Sequence, residues 1–358
     1  MPVTNLSAAP PVESPERPVG RTTARLADQR RDGRVLLIDV WYPARLSAEP
    51  LTQYEPLPSI VFESALAHDA PAVLPNPEPG RNGRYPLVLV SHGRTGMRIA
   101  YSLLCEALAA RGFVVVAADH PGDALADWLG GTFVDDRTNE TGRVGDSGFL
   151  LDALLDPSAA NAAAIGLPGE VLAAIDPSRI LSIGHSYGAY TGLAAAAGVR
   201  GAEPDSRISA VVGLQPYTRS MSDNALARVK TPTLLVISEF DQTTPAATDG
   251  DRPWQLVNGA PTWRMDLAGA AHHASSDMGL YLELAGQMSD LPPMVVAYVS
   301  MMSGETTGPN MRPWREGLLL QIRTIAAFAD LVLDIDPERG VVEADAVAAA
   351  AGVVLQRR

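Results

Sequence analysis

The stretch Gly184-His185-Ser186-Tyr187-Gly188 sets a serine between two glycines, each two residues away. The apolar run Ile180 to Ile183 precedes it, and Ala189 to Ala197, rich in the best helix former, follows. Strand, sharp turn and helix with a serine at the tip make a nucleophile elbow. Such a turn strains the serine backbone and points its hydroxyl away from the sheet. The flanking positions must be glycine, because a side chain there would strike the neighbouring strand or helix. The first amides of the helix face the reacting carbonyl, and the positive end of the helix dipole favours negative charge there. The pentapeptide alone is short enough to arise by chance, so its weight comes from context. The alternative is a turn serine that only caps the helix.

Serine is a poor nucleophile without a base within hydrogen-bond reach, and the base needs a carboxylate to fix its tautomer. In sheets with such an elbow the order along the chain is serine, acid, histidine. The apolar run Leu234 to Ile237 leads into Ser238-Glu239-Phe240-Asp241, and Asp241 is the first choice of acid. Glu239 competes, and a turn aspartate bonding its own backbone is the plain alternative. Of six histidines only His272 and His273 lie downstream of Asp241, in Gly269-Ala270-Ala271-His272-His273-Ala274. His272 is preferred as base, with His273 second. An oxyanion needs two backbone amides. These are assigned to Tyr187, after the serine, and to Arg94, in the loop after Ser91-His92-Gly93. His92 is read as holding that loop. His120 and His185 have no evident chemistry of their own. His120, His273, Met278 and Tyr281 are the candidate pocket residues. There is no H-E-x-x-H, and adjacent histidines without a carboxylate cluster make a poor ion site, so no metal or cofactor is expected.

These residues need a scaffold. Tyr85 to Val90, Phe113 to Ala118, Ile180 to Ile183, Ile208 to Leu214, Thr233 to Ser238 and Thr262 to Leu267 are short apolar runs of the kind buried in parallel sheets. Helical patterns separate them, among them Ile99 to Arg111, Arg143 to Leu155 and the helix after the elbow. Alternation of this kind predicts an α/β fold, a mostly parallel sheet with helices on both faces. Every polar cluster named above falls at the carboxyl end of a strand, where ligands bind in such sheets. Thr22 to Leu26 and Val35 to Tyr42 read as a hairpin around Asp32-Gly33. Residues 1–18 read as a loose tail, 45–85 as an irregular proline-rich wrap, and 157–177 as short alanine-rich helices and a link. Residues 19–335 form the domain and 336–358 an extension. Residues 276–311, with six methionines, suit a lid or pocket wall, or equally a helix pair packed on the core. Residues 314–334 form a long apolar-periodic helix.

Length, 358 residues, allows one large or two medium domains. The formal net charge of −13 with no basic stripe argues against nucleic acid. No apolar stretch is long enough for a membrane span. The single cysteine, Cys105, forbids an internal disulfide and fits a reducing, cytoplasmic setting. The N-terminal residues do not read as a signal peptide, though a mature secreted chain would look similar. Oligomeric state is not legible.

Several segments together resemble a known family. They are Asp32-Gly33-Arg34 leading into Val40-Trp41-Tyr42-Pro43-Ala44; Tyr85-Pro86-Leu87-Val88 through Ser91-His92-Gly93; Gly112-Phe113-Val114-Val115 through Asp119-His120-Pro121-Gly122; Asp176-Pro177-Ser178-Arg179-Ile180 through the elbow; Thr231-Pro232-Thr233-Leu234-Leu235; and Gly269-Ala270-Ala271-His272 with Asp277 five residues on. Residues 19–335 are similar in register to the α/β-hydrolases grouped as predicted dienelactone hydrolases, with the platelet-activating-factor acetylhydrolase-like enzymes among them. The resemblance implies a metal-free serine esterase acting through an acyl-enzyme on short- to medium-chain esters. It implies Ser186, Asp241 and His272 as triad and the Arg94 and Tyr187 amides as oxyanion hole. The chain departs from the pattern at Arg94-Thr95, where an apolar residue and glycine are frequent, and at His273, where an aromatic is common. Ser186 also stands where true dienelactone hydrolases carry cysteine. Three other readings remain: an acyltransferase or lactone-processing enzyme on the same triad, a cutinase-like polyester hydrolase, and a non-catalytic binding protein on the same fold.

Overall fold

The buried apolar runs assemble into the parallel centre of one large sheet. A computed structural model describes residues 17–74, 83–156 and 162–358; most of the expected N-terminal tail lies outside these residues. In chain order the strands are β1 (Val19–Asp28), β2 (Arg34–Pro43), β3 (Leu51–Leu57), β4 (Ile60–Asp69), β5 (Tyr85–Ser91), β6 (Val114–Ala118), β7 (Ala162–Ile165), β8 (Ile175–His185), β9 (Ala210–Leu214), β10 (Thr233–Ser238), β11 (Thr262–Leu267) and β12 (Val353–Arg357). Their order across the sheet is β12-β11-β10-β9-β8-β5-β6-β2-β1-β4-β3, with β7 paired to β1. From β11 to β6 neighbours run parallel, while β12, β2 and the β3–β4 hairpin add antiparallel pairs at the flanks.

Both faces of the parallel centre are covered, and its strands show how. Val88, Val90, Val115, Ala117, Leu181 and Ile183 belong to one apolar cluster. Leu87, Leu89, Val114, Val116 and Ile180 belong to the other. Successive side chains point to opposite faces, so a strand with helices on both sides must be apolar at every position. Helices Ser102–Ala110 and Trp314–Val332 lie on the first face, and Asp136–Leu155 and Tyr187–Ala197 on the second.

Four segments differ from the sequence expectation. The wrap over 45–85 contains β3 and β4, which extend the sheet through the parallel pairing of Val19–Arg21 with Ala67–Asp69. The helix expected from Arg143 begins at Asp136, with the Asp135 side chain accepting from the Thr138 amide as its cap. Within 157–177 a strand, β7, precedes the short helix Gly169–Ala173. Residues 336–358 carry helix Pro337–Ala348 and β12, which pairs with β11 and so continues the same sheet.

The N-terminal hairpin is anchored to helix Asp136–Leu155 mainly through the buried carboxylate of Asp146. Asp146, fully buried, accepts from Arg34 Nε and Nη2 at 2.7 and 2.9 Å and from Arg31 Nη1 at 2.8 Å. His120 Nδ1 stands 3.0 Å from the same carboxylate. Burial would raise this acid, but Arg34 and His120 outweigh it and hold the carboxyl far below its usual range.

Candidate active site

The elbow forms at the end of β8. Ser186 has φ 54° and ψ −118°, a conformation that a side-chain-bearing residue adopts only when its surroundings impose it. The glycines impose it. A Cβ on Gly188 would lie 1.9 Å from the Ser91 carbonyl oxygen at the end of β5. A Cβ on Gly184 would lie 2.0 Å from the Gly188 backbone. Strand and helix therefore meet at a separation only glycine permits, and the serine is left at the crest.

Asp241 follows β10 and His272 follows β11, the two strands beyond β9. His272 Nδ1 stands 2.9 Å from Asp241 Oδ2. With Nδ1–H donating there, Nε2 is left as the basic nitrogen. Thr244 holds the carboxylate from the other side: its amide donates to Oδ1 at 2.7 Å, and its hydroxyl lies 2.7 Å from Oδ2. Burial would raise the Asp241 carboxyl, but His272 and Thr244 outweigh it and keep it below the usual carboxylate range. Glu239, the competing acid, accepts from the Gly269 amide instead. His273 stacks edge-on to His272, with ring centroids 5.3 Å apart, and its backbone amide donates to the Glu305 carbonyl. No carboxylate meets the His273 ring among the described hydrogen bonds.

The loop after β5 is built from buried polar groups. His92 Nδ1–H donates to the Gly93 carbonyl at 2.6 Å, and Nε2 accepts from the His120 amide at 3.1 Å. Both ring nitrogens are used, and burial, with Arg143 nearby, keeps this imidazole neutral. Arg143 is itself buried. It donates to the His92 carbonyl at 2.8 Å and to Asp123 at 2.8 Å. The Arg94 guanidinium lies over the rings of Phe133 and Tyr187, 4.8 and 5.4 Å from their centroids, and Tyr187 stacks on Tyr217 at 4.2 Å. The amides of Arg94 and Tyr187 donate to no acceptor among the described backbone bonds. An oxyanion could take both.

Of the candidate pocket residues, Met278 and Tyr281 are core: 3% and 0% exposed, with Tyr281 Oη donating to the Ile99 carbonyl. His120 is equally buried, between Asp146 and the Ser91 hydroxyl. These three back the site instead of lining an open cleft. Residues 276–311 fold as helices Met278–Ala285 and Pro293–Ser303. Tyr298, on the second helix, reaches the Thr95 carbonyl beside Arg94. Just past that helix, Glu305 meets both the Asp241 loop and the His272 loop. Its carboxylate accepts from the His272 amide at 3.4 Å, the Gln242 amide at 3.5 Å and the Thr243 hydroxyl at 3.3 Å.

Tyr101, Arg143, Thr244 and Glu305 were not singled out in the sequence. Thr244, three residues after an aspartate in a loop, is a turn signal. Arg143 on the apolar side of a helical pattern is the signature of a buried, paired cation. Tyr101 and Glu305 leave no local mark.

Two further buried carboxylates support the site from the first face of the sheet. Asp277 accepts from the Ser102 amide and hydroxyl at 2.8 and 2.5 Å, closing the N-terminus of helix Ser102–Ala110. Glu106 accepts from Tyr54 Oη at 2.7 Å and Ser64 Oγ at 2.8 Å. Burial raises both carboxyls to about 7. A carboxyl raised on folding binds its proton more tightly in the native state. The stability it contributes is therefore present at low pH and lost as pH rises toward 7. Glu106→Gln removes this loss. Measured by urea unfolding, the stability of Glu106→Gln relative to the parent should rise by about 2–3 kcal/mol between pH 5 and pH 8, at 1.4 kcal/mol per pKa unit. A difference that does not change with pH would contradict the buried titration.

Parallel strands with helices on both faces and a serine elbow after β8 define the α/β-hydrolase class. Residues 31–141 match the model of the family described as platelet-activating factor acetylhydrolase, isoform II. Over 246 residues the chain is 22% identical to a platelet-activating factor acetylhydrolase of Cavia porcellus, covering 61% of this chain and 54% of that protein. The chain thus spans about half the length of that curated relative. A solved ferulic acid esterase from Streptomyces cinnamoneus superposes with a TM-score of 0.62 at 23% identity, over 91% of this chain and 92% of its own. The chain therefore has the α/β-hydrolase fold and is similar, over part of its length, to platelet-activating factor acetylhydrolases. Among the described residues no helix is long and apolar enough to cross a membrane, and no group of three or more acidic, histidine or cysteine side chains could hold a metal ion.

Proposed function

We propose that the protein hydrolyses carboxylic esters through an acyl-enzyme on Ser186. The observation that carries this reading is the Asp241–His272 pair, held 2.9 Å apart, with the His272 carbonyl bonded to His185, the residue before a serine at φ 54°. Ser186 attacks the ester carbonyl while His272 Nε2 takes its proton. Asp241 fixes the His272 tautomer and stabilises the imidazolium. The amides of Arg94 and Tyr187 receive the oxyanion. His272 returns the proton to the leaving alcohol, then activates water to release the acid. The similarity to an acetylhydrolase family supports ester chemistry, and short to medium acyl chains are the proposed range.

The test pairs a fluorophosphonate label with p-nitrophenyl esters from acetate to dodecanoate. Labelling at Ser186 with turnover peaking at the shorter chains is expected. Neither labelling nor turnover would leave a non-catalytic binding protein on this fold. Labelling without turnover of any ester would move acyl transfer ahead.

A further inference from the structure

His185, the residue before the serine, is buried and has both ring nitrogens engaged. Nδ1 is 2.8 Å from Tyr101 Oη, and Nε2 is 2.7 Å from the His272 carbonyl oxygen. Tyr101 Oη in turn accepts from the Gly93 amide at 3.3 Å. These contacts run in one direction. A carbonyl can only accept, so His185 Nε2 carries the proton. A neutral ring then has Nδ1 as acceptor, and the single Tyr101 proton goes there. That leaves the Tyr101 oxygen to accept from Gly93.

The chain of donors therefore reads Gly93 N–H to Tyr101 O–H to His185 to the His272 carbonyl. Its ends belong to the two loops that must keep register with the serine. Gly93 immediately precedes Arg94, whose amide is one of the two oxyanion donors in the proposed mechanism. His272 carries the proposed base. The middle member is bonded to Ser186 itself. Tyr101, His185 and His272 are each no more than 4% exposed, so little water competes for these bonds. Burial, with His272 adjacent, holds the His185 imidazole well below its ordinary pKa, so it stays in the neutral form. The rings of His185 and His272 sit 4.6 Å apart, leaving no slack between elbow and base loop.

We propose that Tyr101 and His185 are positioning residues that hold the oxyanion loop and the base loop in register with Ser186 through one buried hydrogen-bond chain. This inference rests on the hydrolase reading for its kinetic consequence, but not for the chain itself. Neither residue touches the reacting atoms. Their effect falls on the transition state, because small displacements of donor or base cost rate without much cost to substrate binding.

Tyr101→Phe deletes one oxygen and keeps the ring. It should lower kcat about 10- to 100-fold with KM within twofold, and weaken a trifluoromethyl ketone transition-state analogue by the same factor. His185→Gln, which keeps a donor toward His272, should retain more activity than His185→Leu. An activity-independent arm uses nitrogen-15 histidine NMR of the parent and of Tyr101→Phe. In the parent, His185 should hold the Nε2–H tautomer from pH 5 to pH 8, and Tyr101→Phe should shift its Nδ1 resonance. Folded Tyr101→Phe with kcat/KM within threefold of the parent would overturn the proposal. So would an Nδ1–H tautomer. If the parent turns over no ester, the hydrolase reading fails, and the NMR arm still decides for or against the chain.

Discussion

Ser186→Ala should lower kcat/KM for p-nitrophenyl acetate by at least about 10³-fold while the protein stays folded. Removing a triad nucleophile costs factors of this order or greater, with the remaining rate supplied by the oxyanion hole and binding. Folding should survive because the Ser186 hydroxyl serves no cap: it accepts no hydrogen bond from the helix it precedes. Ser186→Gly sharpens the test. It is equally inactive in expectation but relieves the strain of φ 54°, worth about 1 kcal/mol, so it should melt slightly above Ser186→Ala. Residual ester turnover above a few per cent in either variant would remove Ser186 from the mechanism. Loss of activity together with loss of the folded state would make the serine structural.

His272→Ala and His273→Ala should separate by on the order of 10²-fold or more in kcat, with His272→Ala the worse. The two imidazoles are adjacent, yet only one is addressed by a carboxylate. Asp241 and Thr244 converge on His272 Nδ1, at 2.9 and 3.2 Å. Losing His272 strands a buried carboxylate as well as removing the base, so some loss of stability should accompany it. His273 is tied down mainly through its backbone, to Glu305. Its truncation should change kcat by less than about tenfold. Stopped-flow or steady-state kinetics on folded variants decide between them. Equal losses would mean that the Asp241 contact does not select the base.

How much of this could be read before folding follows from where the information sits. The six central strands were legible because burial on both faces makes them continuously apolar, and each ends in a loop of different composition. The elbow was legible because its glycines are required by contacts of 1.9 and 2.0 Å within seven residues of the serine or at one neighbouring strand end. By contrast β3 hid its period. Its inward residues are Thr52, Tyr54 and Pro56, and its outward ones Gln53 and Glu55, so polarity did not mark the faces. Proline is tolerated there because β3 is the last strand at that side of the sheet. The start of helix Asp136–Leu155 was masked by charge and by Gly142, Gly145 and Gly148, poor helix formers. Gly145 is explained only by the fold: a Cβ there would lie 2.8 Å from Arg31, which crosses from the hairpin. β12 is five residues long and gains its meaning only from pairing with β11.

The site divides in the same way. Ser186, Asp241 and His272 could be proposed because residue type and order are constrained by chemistry. The choice between the two histidines rests on the family resemblance as much as on triad logic, and the Asp241 contact favours His272. Met278 and Tyr281 were assigned to a pocket by composition and lie in the core, because methionine and tyrosine serve either place equally well. The Gly93–Tyr101–His185–His272 chain joins residues up to 179 positions apart by contacts that no local pattern encodes.

The carboxylate of Glu305 couples two kinds of order that are usually separate. It stands beyond helix Pro293–Ser303, whose outward face exposes Met294, Val296 and Met301, yet it grips the backbone of both the acid loop and the base loop. The end of that helix is thus also part of the frame that holds the proposed acid and base loops. Opening of that segment alone would slacken Asp241 and His272 while the sheet behind them stayed intact. Heat should then act in two stages: a reversible loss of turnover as the Glu305 segment loosens, and the cooperative melting of the sheet at higher temperature.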